Sequence, residues 1–167
     1  MHALSEPPEP RSDVEPEFLA AMRHVAAPVA VVTTLVGRRP LGTTVSAFDS
    51  LSMRPAMMTV ALQASSSLLS ALRRGAPVGV NVLADDQITL AQRFAARVED
   101  RFRGVPWQVD CGAPRLGGTH AWFALSVRDH VPGGDHVVVV CDVEAAEVAS
   151  GRPLVHHDRR FGTIASS

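Results

Sequence analysis

Thr43, Thr44, Ser46, Ser50 and Ser52 place five hydroxyls in the segment Gly42 to Ser52, among Val45, Ala47, Phe48 and Leu51. A hydroxyl donates and accepts hydrogen bonds without carrying charge. In an extended segment, alternate side chains leave on opposite sides, so this stretch can present small polar groups on a surface whose backbone a flat ligand approaches. Such a surface suits the uncharged edges of a heteroaromatic ring and does not suit a metal. The same composition also describes an ordinary Thr/Ser-rich strand and turn, and on this stretch alone that reading is preferred.

Ser65, Ser66 and Ser67 form a second hydroxyl group, ahead of an apolar run that reads as a helix. At a helix start, these side chains and the free backbone amides form an anion site at the positive end of the dipole. The alternative is a simple cap within a serine run. His156, His157 and Asp158 stand in sequence like metal ligands. Adjacent residues point apart in a strand, however, and no first shell of three or four ligands is evident, so a metal site is rejected.

The elements that must carry these residues follow from periodicity. Asp13 is a candidate cap for a helix that tolerates Pro16 in its first turn, has Phe18, Leu19, Met22 and Val25 on one face, and is closed by Pro28. Val29 to Val36 reads as a strand buried on both faces, and Gly37 to Pro40 turns it into a hairpin with the hydroxyl-rich segment. Met57 to Leu62 is a third strand. A helix is predicted from Ser65 to Arg74, with Leu68, Leu69 and Leu72 inward and Gly75 as its stop, before a strand from Pro77 to Leu83. Asp85 or Asp86 is expected to cap a helix with Leu90, Ala91, Phe94 and Ala95 as its stripe, ending near Arg97. Glu99 to Arg115 reads as irregular. Ala121, Phe123, Leu125 and Val127 then alternate with Trp122, Ser126 and Arg128 as in a half-buried strand; Pro132 to Gly134 turns the chain into the apolar strand Val137 to Val143. Many strands, few short helices and no βα alternation indicate a β-barrel with added helices.

Composition removes several chemistries. The chain has 167 residues and a net charge of −1, so it is sized for one domain and lacks the basic face that nucleic acid or an anionic membrane calls for. All 16 basic residues are Arg and there is no Tyr, which excludes a Schiff-base lysine, a phosphate-loop lysine and a phenolic acid. The GxGxxG, GxSxG, HExxH and Walker patterns are missing. Cys111 and Cys141 lie far apart and form no CxxC pair. The Pro- and Glu-rich start is read as a disordered tail over residues 1–12 without the features of a secretory signal, the domain as residues 13–167, and the setting as cytoplasmic.

In their order and spacing, the run Val29 to Thr34, the segment GTTVSAFDSLS, Asn81-Val82-Leu83, Phe94-Ala95, Arg101-Phe102, Gly134-Asp135-His136 and the ending LVHHDRRFGTI resemble the flavin reductase family. The resemblance covers about Phe18 to Ile164. It implies a mainly β, split β-barrel of Greek-key type with added helices, usually dimeric, that binds FMN or FAD. It also implies hydride transfer from NADH or NADPH and delivery of reduced flavin to a separate monooxygenase, hydroxylase or halogenase. Carried over residue by residue, it assigns flavin contacts to Thr44, Val45, Ser46, Ala47, Ser50, Leu51, Ser65 and Ser67. Arg101 is the expected phosphate contact, with Asn81 near the site. His136 of the GDH motif would lie beside the nicotinamide, with Phe161 on the same side. Phe161 stands where many relatives carry Tyr, so a phenol hydrogen bond is lost there while stacking is kept. Ala56 replaces a second proline often seen after the SLS turn. Two alternatives are a flavin-binding or flavin-storage module without catalysis, and an oxidase of a pyridoxal-type substrate on the same barrel.

Overall fold

The computed structural model describes residues 14–165. The assigned tail and the candidate cap Asp13 lie outside them. The first helix, α1 (Glu15–Arg23), has Pro in its first turn, with Glu15 and Glu17 at its positive end and Arg23 at its negative end. It stops before Val25, well short of Pro28. Its expected apolar face forms but buries nothing within the chain: Phe18, Leu19 and Met22 are all about half exposed.

The strands that follow are β1 (Ala27–Pro28), β2 (Ala30–Val36), β3 (Arg39–Val45), β4 (Phe48–Met53) and β5 (Ala56–Gln63). Then come α2 (Ser67–Ala71), β6 (Pro77–Val82), α3 (Ile88–Ala95), β7 (Trp107–Asp110) and β8 (Ala113–Leu116). The chain ends with β9 (Ala121–Gly133), β10 (His136–Val148), β11 (Leu154–His157) and β12 (Arg160–Thr163). Seven strands form one antiparallel sheet in the order β3-β2-β6-β9-β10-β5-β4. β3 and β4 occupy opposite ends of that order, yet only Ser46 and Ala47 separate them in the chain. The two ends must therefore meet, and the sheet rolls into a split barrel. The Ala61 amide of β5 donates to the Ala47 carbonyl at 2.8 Å and stitches the joint.

Inward-facing Val32, Val60, Leu62, Val80, Leu125, Val127 and Val139 fill the barrel, with Leu68 and Leu72 at one mouth. A second cluster, including Val31, Leu83, Ala91, Phe94, Phe102 and Leu154, packs α3 and the small β1-β11-β12 sheet against the barrel's outer side. The run predicted as Val29 to Val36 is buried on both faces as far as Thr34, whereas Leu35 is half-buried and Val36 is exposed.

Several expectations need correcting. The hydroxyl-rich segment is not one strand; it breaks at Ser46-Ala47 because the barrel closes there. The helix after the serines spans five residues, not ten, because the chain leaves helical geometry at Leu72, whose side chain turns into the core. Gln87, not an aspartate, precedes α3, and Asp85 instead accepts a bond from Arg152 Nε at 2.9 Å. β9 is not half-buried: Trp122 and Ala124 are as buried as Leu125. The face expected to meet solvent is covered by the β7–β8 hairpin, which arises inside the stretch read as irregular. Its two-residue loop places both Cys111 (φ 46°) and Gly112 (φ 78°) in the left-handed region. Arg115 of β8 clamps the hairpin, bonding Asp110 at 2.9 Å and Glu147 of β10 at 2.6 Å, and it holds both carboxyls below the usual carboxylate range.

Candidate active site

Two clefts lie end to end along β3. The first, of about 340 Å³, is lined by Thr43 to Ala47, by Leu62, Gln63 and His136, and by Ser66 and Ala95. Its lining contains no carboxylate. β3 and β5 can share a cleft because barrel closure brings the start of the sheet round to its end. The second cleft, of about 540 Å³, continues along Arg39 to Gly42 and is walled by Ser67, Leu68 and the segment from Val98 to Arg103. It gathers three cations, Arg39, Arg101 and Arg103, against Glu99 and Asp100. Asp100 is already engaged by the Phe102 amide at 3.0 Å.

The floor beneath β3 is aromatic and tightly packed. Phe94 and Phe102 meet edge to face at 4.9 Å, and Phe102 meets Trp107 at 5.6 Å. A Cβ on Gly42 would stand 2.9 Å from Phe94, so glycine lets β3 lie directly on this pair. Thr44 Oγ1 donates to the Ala91 carbonyl of α3 at 2.7 Å, which fixes strand and helix together and leaves that oxygen only as an acceptor for a ligand. Arg101 is held as firmly: its Nη1 donates to the Gly42 carbonyl at 2.8 Å and its Nε to the Ala96 carbonyl at 2.9 Å. Among the described residues no carboxylate forms an ion pair with it, so its charge and its remaining N–H groups are available to a ligand.

His136 opens β10 opposite Gln63 of β5. Its Nδ1 lies 2.7 Å from Asp135 Oδ1, and this bond holds the Asp135 carboxyl below its ordinary range. In the neutral ring the carboxylate keeps the proton on Nδ1, leaving the Nε2 lone pair free.

The structure therefore brings Thr44, Val45, Ser46, Ala47 and His136 into one cleft, and Ser67 and Arg101 into the adjoining one. Ser65 is exposed beside both and lines neither; Ser66 takes the position between them. Ser50 and Leu51 are carried away on β4, where Ser50 borders an apolar groove with Met53 and Met57 and Leu51 is exposed. Phe161 packs on the second core cluster, 5.4 Å from His156, and does not line the His136 cleft. Asn81 is corrected outright. It is fully buried, its Oδ1 accepts from the Leu116 amide at 2.7 Å, and its Nδ2 donates to the Val31 carbonyl at 3.0 Å. It ties β8 to the barrel and has no surface to offer a ligand. Gln63 lines the cleft without having been singled out by sequence, since a lone glutamine at a strand end carries no pattern, and Ser66, named only within the serine run and given no flavin contact, lines it as well.

The donor set fits a flavin: neutral hydroxyls and backbone along one part of a groove, a cationic part beyond it. A model of the flavin reductase like domain matches residues 22–165. The chain belongs to that family, and it is an NAD(P)H-dependent flavin reductase. The NADH:FMN oxidoreductase of Rhodococcus qingshengii is 32% identical over 152 residues, covering 87% of this chain and 79% of the relative. The reductase component of the 4-nitrophenol 4-monooxygenase/4-nitrocatechol 2-monooxygenase of Rhodococcus opacus is 34% identical over 146 residues, covering 87% and 79%. The crystal structure of BorF, the flavin reductase component of a bacterial two-component tryptophan halogenase, superposes with a TM-score of 0.83 at 28% identity, covering 92% of this chain and 99% of that one.

Proposed function

We propose that the groove along β3 holds FMN or FAD with its ring system over Thr43 to Ala47 and its phosphate toward Arg101 and Ser67, and that NADH or NADPH enters beside His136. The observation that carries this reading is the continuity of an uncharged cleft with a cationic one along a single strand. When bound, the flavin supplies the hydride chemistry. The residues of the chain supply placement: β3 presents its backbone and hydroxyls to a planar edge, the Phe94-Phe102 pair keeps β3 fixed, and Arg101 anchors the anionic end.

The test is a titration of FMN, FAD and riboflavin against wild type and Arg101→Gln, followed by fluorescence quenching. Arg101→Gln is expected to weaken FMN by about tenfold, the scale of one charged hydrogen bond, and to leave riboflavin, which lacks the phosphate, unchanged. Equal weakening of both would mean that Arg101 only holds Gly42 and Ala96 in place. Absence of any binding at high micromolar flavin would remove the reading. Flavin-dependent consumption of NADH, measured alongside, separates a reductase from a storage module.

Reduced flavin leaves for a flavin-dependent monooxygenase, hydroxylase or halogenase, as the names of the relatives from Rhodococcus opacus and of BorF support. The setting is the cytoplasm, where NAD(P)H is available and where Cys111, exposed and unpaired, stays a thiol.

The working unit is a homodimer. The apolar stripe on α1 buries nothing in its own chain, and a groove of about 420 Å³ lined by Pro28, Phe48, Met53, Met57, Phe123 and Val143 lies open, with Met53 78% exposed. A second copy covers both surfaces in a two-fold arrangement. Sedimentation is expected to give a dimer for wild type and a monomer for the double variant Phe18→Asp, Met53→Asp. A wild-type monomer at working concentration would overturn this.

A further inference from the structure

One polar side chain in the His136 cleft remains without a role. Gln63 is the last residue of β5, its Cα partner across the sheet is His136, and both line the 340 Å³ cleft together with Thr43 to Ala47. Its side chain is exposed, and its carboxamide makes no hydrogen bond among the described residues, while its backbone carbonyl accepts from the Ser66 amide at 2.9 Å. The register leaves it no freedom to drift: five further pairs, from Val137–Leu62 to Cys141–Met58, hold β5 and β10 in step. A free carboxamide is therefore displayed from a fixed backbone position, next to the histidine, in the cleft that takes the flavin ring.

We infer that Gln63 reads the carboxamide of the nicotinamide through a reciprocal pair of hydrogen bonds, and so sets the preference of the enzyme for a dinucleotide with an intact carboxamide. Two amides match each other because each has one N–H to give and one oxygen to accept with. No charged residue in this cleft competes for that group, and Ser66 and Thr43 are too short to offer a donor and an acceptor in one plane. The flavin's own imide edge has similar chemistry. The placement of Gln63 beside His136, where the dinucleotide is proposed to enter, favours the nicotinamide. The inference rests on the reading of the groove given above.

The experiment compares NADH with its 3-acetylpyridine analogue, whose acetyl group keeps the carbonyl oxygen and loses the N–H donor. It is run in wild type, Gln63→Ala and Gln63→Glu at saturating flavin. Different redox potentials of the two dinucleotides cancel, because the ratio of kcat/KM for NADH over the analogue is compared between variants. Gln63→Ala is expected to shrink that ratio about fivefold, the worth of one neutral hydrogen bond, chiefly through the KM for NADH. Gln63→Glu keeps an acceptor for the carboxamide N–H and loses the donor to its oxygen, so it is expected to retain the ratio while raising both KM values. An unchanged ratio in Gln63→Ala overturns the inference, and so does weaker flavin binding with an unchanged ratio, which would place the imide edge there instead. Failure of the wider reading looks different: wild type itself would then show no flavin-dependent NADH oxidation.

Discussion

Gly79→Ala is expected to cost about 3 kcal/mol, lowering the Tm by roughly 6 to 12 °C for a domain of this size, from a change of one methyl group. Gly79 lies in β6 between Thr33 of β2 and Ala124 of β9, so its backbone is held by ladders on both sides. A Cβ there would stand 2.3 Å from Trp122 Cη2, 2.5 Å from Trp122 Cζ3 and 2.6 Å from Thr33 Oγ1. Neither neighbour has room to yield. Trp122 is fully buried beneath the β7–β8 hairpin, with Arg115 stacked 5.7 Å from its ring, and the Thr33 hydroxyl donates to the Pro114 carbonyl at 2.6 Å. Relief therefore means lifting the hairpin off the barrel. Gly162→Ala is the control, since a Cβ there meets nothing within 4 Å, and it is expected to move the Tm by no more than about 1 °C. Calorimetry on both variants checks the contrast, and a Gly79→Ala protein melting within about 2 °C of wild type would show that Trp122 can be displaced cheaply.

The same tryptophan marks where the sequence stops being legible. Alternation from Ala121 to Arg128 is real, but alternation reports solvent only when one face of a strand is open, and here a hairpin covers Trp122. That hairpin turns through Cys111-Gly112, not through Asn-Gly or Asp-Gly, so the usual local signal for a two-residue loop is absent. Asn81 misled for a related reason. Its partner, the Leu116 amide, lies 35 residues away, and nothing near Asn81 in the chain announces it. By contrast, the run from Val29 to Thr34 and the Leu90, Ala91 and Phe94 positions of the α3 stripe are readable because their burial follows from local periodicity, although Ala95, expected in that stripe, is exposed. Barrel closure sits between these cases. The hydroxyl spacing marked Thr43 to Ala47, yet the break at Ser46-Ala47, which carries Ser50 and Leu51 away, is set by the ends of a seven-stranded sheet meeting.

His136→Ala is expected to slow reduction of bound flavin by roughly tenfold or more while leaving the flavin dissociation constant within about twofold, the signature of lost positioning and not of lost binding. The asymmetry follows from the layout of the groove. The flavin contacts proposed above come from β3, Ser67 and Arg101, whereas His136 enters from a different strand, β10. Its ring is held by Asp135, whose carboxyl His136 in turn holds below the ordinary aspartate range. That pairing is complete above the usual aspartate pKa and is lost only as pH falls through the lowered one. Asp135→Asn removes the charge and keeps an acceptor, and it is expected to give a smaller loss, about threefold, since the ring stays placed by the β10 register. Stopped-flow reduction at saturating NADH, with NADH affinity measured in the same series, reads these steps apart. Unchanged reduction rates together with unchanged NADH affinity in His136→Ala would move the nicotinamide to a different wall of the cleft. The Gln63 pair across the sheet would then have to move with it, because β5 and β10 present the two side chains as neighbours in one register.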